Sequence, residues 1–210
     1  MTKFHKIKDA LIKGDDDTVI HFVKELLEAG ISAKEILNDG LIASMDIVGE
    51  RMEKGEMFIP EVLKSAKIMS SAVNILKPLL ADEDMSATGK VVIGTVKGDM
   101  HDIGKNLVIM MLESAGFEIF DLGIDVPPEK FVGAIKEKNP DILALSALLT
   151  TTMPMIQKTI ETVTDSGLRD PLKIMVGGAP VTQEFAAEVG ANGYAPDAGS
   201  ASKLAKSLVQ

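Results

Sequence analysis

The pattern of apolar and polar positions changes once along the chain, near residue 90. Before that point apolar residues recur at helical spacing; after it, short β-rich apolar runs alternate with helical segments. In the first part the spacing predicts a helix over 4–12, stopped by Gly14. A second is expected over 18–29, with Asp15, Asp16 and Asp17 as caps and first-turn acids and Gly30 beyond its end. Ser32 caps a third, whose apolar positions are Ile36, Leu37, Leu41, Ile42, Met45 and Val48; Gly40 is a candidate break within it. Pro60 fits the first turn of a fourth, with Val62, Leu63, Ala66, Met69, Ala72, Val73 and Leu76 on its apolar face. The prediction is a four- or five-helix bundle over residues 1–85. Residues 81–89 are small and polar and read as a linker.

From residue 86 onward the pattern predicts strands at 91–96, 118–122, 142–146, 173–177 and 193–195. Helices are expected at 104–115, 128–138, 153–166, 182–189 and 200–209. Such alternation means a doubly wound parallel sheet of the flavodoxin-like or Rossmann kind. In the strand order 2-1-3-4-5 the winding reverses between strands one and three, and ligands sit beyond the carboxyl ends there. The loop after strand one should therefore lie beside the loop after strand three.

The first of those loops is Lys97-Gly98-Asp99-Met100-His101-Asp102. A phosphate-binding loop needs four residues between its glycines, then Lys and a hydroxyl. Here five separate Gly98 from Gly104, and Asn106 stands at the hydroxyl position. The G-x-G-x-x-G spacing is absent too. What the loop offers is an imidazole between two carboxylates, Asp99 and Asp102. Such a histidine can be a metal ligand oriented by an acid, or a surface histidine beside solvated acids; the triplet alone leaves both open. The second loop carries Ser146, Thr150, Thr151 and Thr152, more hydroxyls than a helix cap needs. After strand four come Gly177 and Gly178, and after strand five Tyr194 to Gly199, again small. Glycine pairs let something approach the backbone closely. Three loops cleared of side chains at one sheet end suggest a large planar or elongated ligand.

Composition narrows the classes. The 210 residues carry a net charge of -9, which disfavours a nucleic-acid partner. Aromatics are 4%, with no Trp, so no stacking platform for single strands is expected. There is no Cys, which removes disulfides, thiolate metal sites and cysteine catalysis. No apolar run reaches membrane-spanning length and no leader-like segment opens the chain, so a cytoplasmic location is expected.

Asp99-x-His101-x-x-Gly104, then Ser146-x-Leu148, then Gly177-Gly178, resembles the cobalamin-binding signature D-x-H-x-x-G, S-x-L, GG. The three parts stand in order at the ends of the expected strands. The preceding bundle, with Val48-Gly49-Glu50 and Phe58 to Val62, is similar to the cap region of methionine synthase. It is more similar still to the stand-alone corrinoid proteins of methanol, methylamine, betaine and aryl-ether methyltransferase systems.

The resemblance implies a cobalamin cofactor bound base-off and His-on, with His101 as the lower axial cobalt ligand and Asp99 hydrogen-bonded to it. Thr152 stands where methionine synthase has a serine. Gly98, Met100, Asp102, Ile103, Gly104 and Leu148 would line the cofactor. Ser146 and Thr150 would contact the displaced nucleotide tail, with Gly177 and Gly178 letting it thread into the sheet and Ala198 near its end. Met52 and Ile59, backed by Val62 and Leu63, would lie over the methyl-bearing face; Met52 departs from the phenylalanine of methionine synthase. The implied function is a methyl carrier, with cobalt cycling between Co(I) and methyl-Co(III). Its partners would be a donor-specific methyltransferase, a second methyltransferase serving coenzyme M or tetrahydrofolate, and a reductive activase. No second catalytic constellation is present, so the chain reads as non-catalytic alone. The alternative is a cobalamin-dependent sensor or regulator, which lacks a DNA-reading module here. The linker 81–89 is the expected hinge of a mobile cap.

Overall fold

The structure, a computed structural model, describes residues 3–80 and 88–210. It divides into two compact units, Met1–Ser86 and Ala87–Gln210. Most of the proposed linker, residues 81–87, lies outside the described residues.

Among the described residues the first unit holds helices and no strand: α1 (His5–Lys13), α2 (Asp16–Glu28), α3 (Ala33–Glu35), a π-helical segment (Ile36–Ile42), α4 (Ala43–Glu53), α5 (Ile59–Leu76) and a 3-10 turn (Lys77–Leu79). Asp15 caps α2 by accepting from the Thr18 N–H at 3.2 Å, and Ser32 caps α3 by accepting from Glu35 N–H at 3.2 Å. Gly40 does not break the third helix. The turn around it widens instead, and the Ser44 hydroxyl donates to the Gly40 carbonyl one turn back. A Cβ at position 40 would stand 3.4 Å from the Phe4 ring, an ordinary contact distance. On α5 the buried residues include Val62, Ala66, Met69, Ala72 and Leu76, whereas Leu63, expected on the same face, is exposed.

The second unit is a five-stranded sheet of order β2-β1-β3-β4-β5, every pair parallel: β1 (Lys90–Thr95), β2 (Glu118–Asp121), β3 (Ile142–Ser146), β4 (Lys173–Gly177) and β5 (Gly193–Ala195). Helices α6 (Ile103–Ser114), α7 (Pro128–Lys138), α8 (Met153–Asp165), α9 (Gln183–Glu188) and α10 (Ala198–Leu208) alternate with the strands. The two-residue period of a strand sends alternate residues to opposite cores. Val92, Leu143, Leu145, Ile174 and Val176 pack with Phe131, Ile135, Ile156 and Ile160 of α7 and α8. Val91, Ile93, Ile142, Ala144 and Met175 pack with Leu112 of α6 and Ala201 and Ala205 of α10. β1 and β3 are direct neighbours, so the loops leaving their carboxyl ends emerge side by side.

Candidate functional site: a buried carboxylate holding a half-exposed histidine

One register row, Thr95–Ser146–Gly177–Ala195, crosses the carboxyl end of the sheet. Every member is small, and the loops that follow build the site. The β1–α6 loop turns at Gly98, whose φ of 83° lies in the left-handed region that glycine adopts without strain. The turn drops Asp99 into the protein, where it is fully buried.

A buried carboxylate is costly unless its oxygens are hydrogen-bonded. All of Asp99's capacity is used. Oδ1 accepts from the His101 N–H at 3.1 Å and stands 2.8 Å from His101 Nδ1. Oδ2 accepts from the Leu148 N–H at 2.7 Å and lies 2.7 Å from the Thr152 hydroxyl. Thr152 Oγ1 is also 2.9 Å from the Leu149 carbonyl; its single proton goes to the stronger acceptor, the carboxylate. Burial pushes the Asp99 carboxyl up, but the bonds from Thr152, Leu148 and His101 outweigh it and hold the group well below the usual carboxylate range. The acid therefore stays ionised and can only accept. His101 Nδ1 must then carry the proton, which puts the lone pair of the neutral ring on Nε2. The His101 side chain is 49% exposed. Its main chain is fixed as well, because the fully buried Thr95 hydroxyl donates to the His101 carbonyl at 2.9 Å.

Near the histidine several large apolar side chains are exposed, alongside the carboxylate of Asp102. Met100 is 64% exposed and Ile103 78%, with Leu148 and Leu149 also exposed. Four large apolar side chains left in water around one imidazole mark a binding surface. Gly104, in the first turn of α6, has open space where a side chain would stand. Packing within the chain does not require glycine there, although glycine costs a helix about 1 kcal/mol against alanine.

Comparison with known proteins decides the family. Two models of the B12 binding domain match, one over residues 89–202 and one over residues 3–77. The dimethylamine corrinoid protein of Methanosarcina barkeri is 44% identical over 205 residues, covering 97% of this chain and 96% of that one. The chain belongs to the family of B12-binding corrinoid proteins. Among solved structures, a cobalamin-binding protein from Desulfitobacterium hafniense DCB-2 aligns with a TM-score of 0.85 and 35% identity, covering 97% of each chain. The methanol:cobalamin methyltransferase complex MtaBC from Methanosarcina barkeri contains a chain that aligns at 0.83 and 30% identity, covering 99% of this chain and 79% of that one.

The corrinoid-protein residues present fit a corrinoid. An imidazole with an outward lone pair can meet a metal, an apolar floor suits a broad ring, and a vacant place beside Gly104 lets a ring come close. Of the residues singled out in the sequence, Asp99, His101, Leu148 and Thr152 are joined in one hydrogen-bonded group. Asp102 joins a different one, accepting from the Asn106 side chain at 3.1 Å. Ser146 is half-buried at the end of β3, Thr150 is exposed in the loop beyond it, and Ala198 is buried at the start of α10. Met52, Ile59 and Val62 belong to the first unit: Met52 is half-buried on α4, Ile59 is exposed at the start of α5 and Val62 is buried.

The glycine pair has a use the sequence did not reveal. A Cβ at Gly178 (φ 127°) would stand 1.8 Å from the Ala147 carbonyl oxygen, and one at Gly177 would stand 3.1 Å from that of Ala195. What approaches these glycines closely is the chain's own neighbouring backbone. Thr95, which fixes the main chain of His101, is not singled out by the sequence either; its signal is a hydroxyl closing the buried run of residues 91–94.

Proposed function

We propose that this corrinoid protein carries a methyl group between two methyltransferases, one specific for a methyl donor and one that passes the group to coenzyme M or tetrahydrofolate. The observation that carries the reading is the Asp99–His101 pair at 2.8 Å, with the histidine's other nitrogen directed away from the bond into an apolar, exposed surface. Bound cobalamin supplies a cobalt centre able to accept and release methyl. The protein's own part is ligation and orientation. His101 Nε2 would hold the cobalt in place of the cofactor's own base, and Asp99 holds the imidazole in the tautomer that ligation needs. Thr152 and Leu148 keep Asp99 ionised and still. Met100, Ile103 and Leu148 would exclude water from a bound corrinoid, and Gly104 would give it room. Ser146 and Thr150 offer hydroxyls to the nucleotide tail.

Support for the methyltransferase setting comes from the relatives, one named for dimethylamine and one solved within a methanol:cobalamin methyltransferase complex. The donor and acceptor enzymes, and a reductive activase that restores the reduced cofactor, are the partners this function requires. Among the described residues no helix is long and apolar enough to cross a membrane.

The test reconstitutes the protein with cobalamin. The wild type should show nitrogen coupling from His101 in the paramagnetic resonance of the Co(II) form. His101→Ala should still bind the corrinoid but lose that coupling; unchanged coupling refutes His101 as ligand. Mixing the loaded wild type with methylamine- or methanol-specific methyltransferases should methylate the cofactor. Cofactor binding without methylation by any of them would favour a sensor over a carrier.

A further inference from the structure

The loop that carries Asp99 and His101 is gripped from two sides. On the β3 side the grip is the one already described, through Leu148 and Thr152. On the β2 side it is Asp125, in the loop between β2 and α7. Asp125 Oδ1 accepts from the Gly98 N–H at 2.7 Å, and the Asp125 N–H donates to the Asp99 carbonyl at 2.9 Å. One residue thus holds both ends of the peptide unit pair that sets Asp99. It does so from a left-handed backbone, φ 51°, which few residues other than glycine adopt and which aspartate tolerates. Its neighbours continue the seam: the Val126 N–H donates to the Thr95 carbonyl at 3.0 Å, and the Thr95 N–H donates to that of Gly123 at 3.0 Å. The β2–α7 loop is therefore stitched to the end of β1 and to the Gly98–Asp99 turn that follows it.

We propose that Asp125 is a positioning residue for the lower cobalt ligand. It touches neither the histidine ring nor the space in front of it. It fixes the Gly98–Asp99 main chain, Asp99 fixes the His101 ring, and the position of Nε2 follows. The reasoning rests on His101 being the ligand. A hydrogen bond to a carboxylate is among the stronger ones in a protein, and the Gly98 turn has no side chain of its own to replace it.

Two variants separate positioning from bulk and strain. Asp125→Asn keeps an acceptor oxygen and tolerates the left-handed backbone. Asp125→Gly removes the acceptor without straining the left-handed backbone, and its added backbone freedom is the one other change. Both are loaded with cobalamin, reduced to the Co(II) form, and scored for the ratio of His-on to His-off protein from the nitrogen coupling. In Asp125→Gly the ratio should fall about tenfold, the size of one charge-assisted hydrogen bond, and in Asp125→Asn it should stay within about threefold of wild type. An unchanged ratio in Asp125→Gly, with coupling present in the wild type, overturns this proposal alone. Absence of coupling in the wild type overturns the ligand assignment and this proposal with it. If Asp125→Gly does not fold, hydrogen exchange of the wild-type apoprotein decides. The Gly98 amide, though in an exposed loop, should exchange at least about a hundredfold slower than a free amide. A Gly98 amide exchanging at the free rate overturns the clamp.

Discussion

The Thr152 hydroxyl stands 2.7 Å from Asp99 Oδ2, although 53 residues separate the two along the chain. The contact ties the first crossing of the sheet to the second, because Asp99 follows β1 and Thr152 precedes α8. Thr152 occupies the N-cap position of α8 yet spends its hydroxyl on the carboxylate rather than on the helix. Thr152→Val keeps the shape and removes the donor. It should destabilise the α/β unit of the apoprotein by about 1–3 kcal/mol, because a buried charge loses a partner. Thr152→Ser should recover most of that. Urea unfolding followed through amide signals of β1 and β3 measures both; a valine variant as stable as wild type would mean that Leu148 and His101 suffice for Asp99.

Acid should act through the same carboxylate. Asp99 is held well below the usual range in the folded protein, while in the unfolded chain it titrates near 3.9. A depressed folded value means stabilisation that is fully present above the unfolded value and is lost as pH falls through it toward the folded one. Between neutrality and about pH 5 the apoprotein should therefore show no loss from this group, and below about pH 4 a progressive one. Asp99→Asn, which cannot titrate, should be less stable than wild type at neutral pH, and the gap should narrow below about pH 4. A gap that stays constant down to pH 3 would show that Asp99's charge contributes nothing to folding.

Side-chain chemistry was legible in the sequence and main-chain chemistry was not. The Asp-x-His spacing and the hydroxyl of Thr152 were readable because identity specifies what they offer. The alternation of runs after residue 90 implies a parallel sheet, and the order common to doubly wound sheets puts β1 beside β3, as the structure has it. The Leu148 donor could not be read, because every residue but proline has an N–H and only the fold says where it points. Asp125 was invisible for the same reason: its value lies in the Gly98 amide it meets. Gly40 misled because a glycine inside a helical pattern signals a break, whereas here the helix absorbs it by widening. At Gly178 the space a side chain would take is filled by the Ala147 carbonyl, a neighbour that only the fold specifies.

Lys105 makes an ion pair whose two ends should respond unequally to substitution. Its ammonium is buried, with the side chain 2% exposed, and donates to both Asp121 oxygens at 2.8 Å, whereas Asp121 is 39% exposed. A cation in the first turn of α6 is also opposed by the helix dipole. Lys105→Met frees a carboxylate that water can reach and should cost less than about 1 kcal/mol. Asp121→Ala strands the buried ammonium, with only the Asn106 side chain left at 2.8 Å, and should cost at least about 2 kcal/mol. Thermal unfolding of both variants checks the order; equal costs would mean that Lys105 reaches solvent once its partner is gone.

Two glycines at the same end of the sheet should behave in opposite ways. At Gly178 the space a side chain would take is filled by backbone: a Cβ would lie 1.8 Å from the Ala147 oxygen, and φ is 127°. Neither can be relieved by turning a side chain, so β3 and β4 must part at the mouth of the site. Gly178→Ala should lower the stability of the α/β unit by about 2 kcal/mol or more, before any ligand is added. At Gly104 nothing lies within 4 Å of a Cβ, and the residue sits in a helix. Gly104→Ala should leave the apoprotein as stable as wild type or raise it by up to about 1 kcal/mol. Its effect should appear only with cobalamin: a methyl group in the space beside His101 should weaken binding about tenfold, a loss of ~1.4 kcal/mol, and Gly104→Leu should weaken it further. Apo stability by urea unfolding and cobalamin affinity by absorbance titration separate the two roles. Undiminished affinity in Gly104→Leu would mean that the open space at the start of α6 is not where the ring lies.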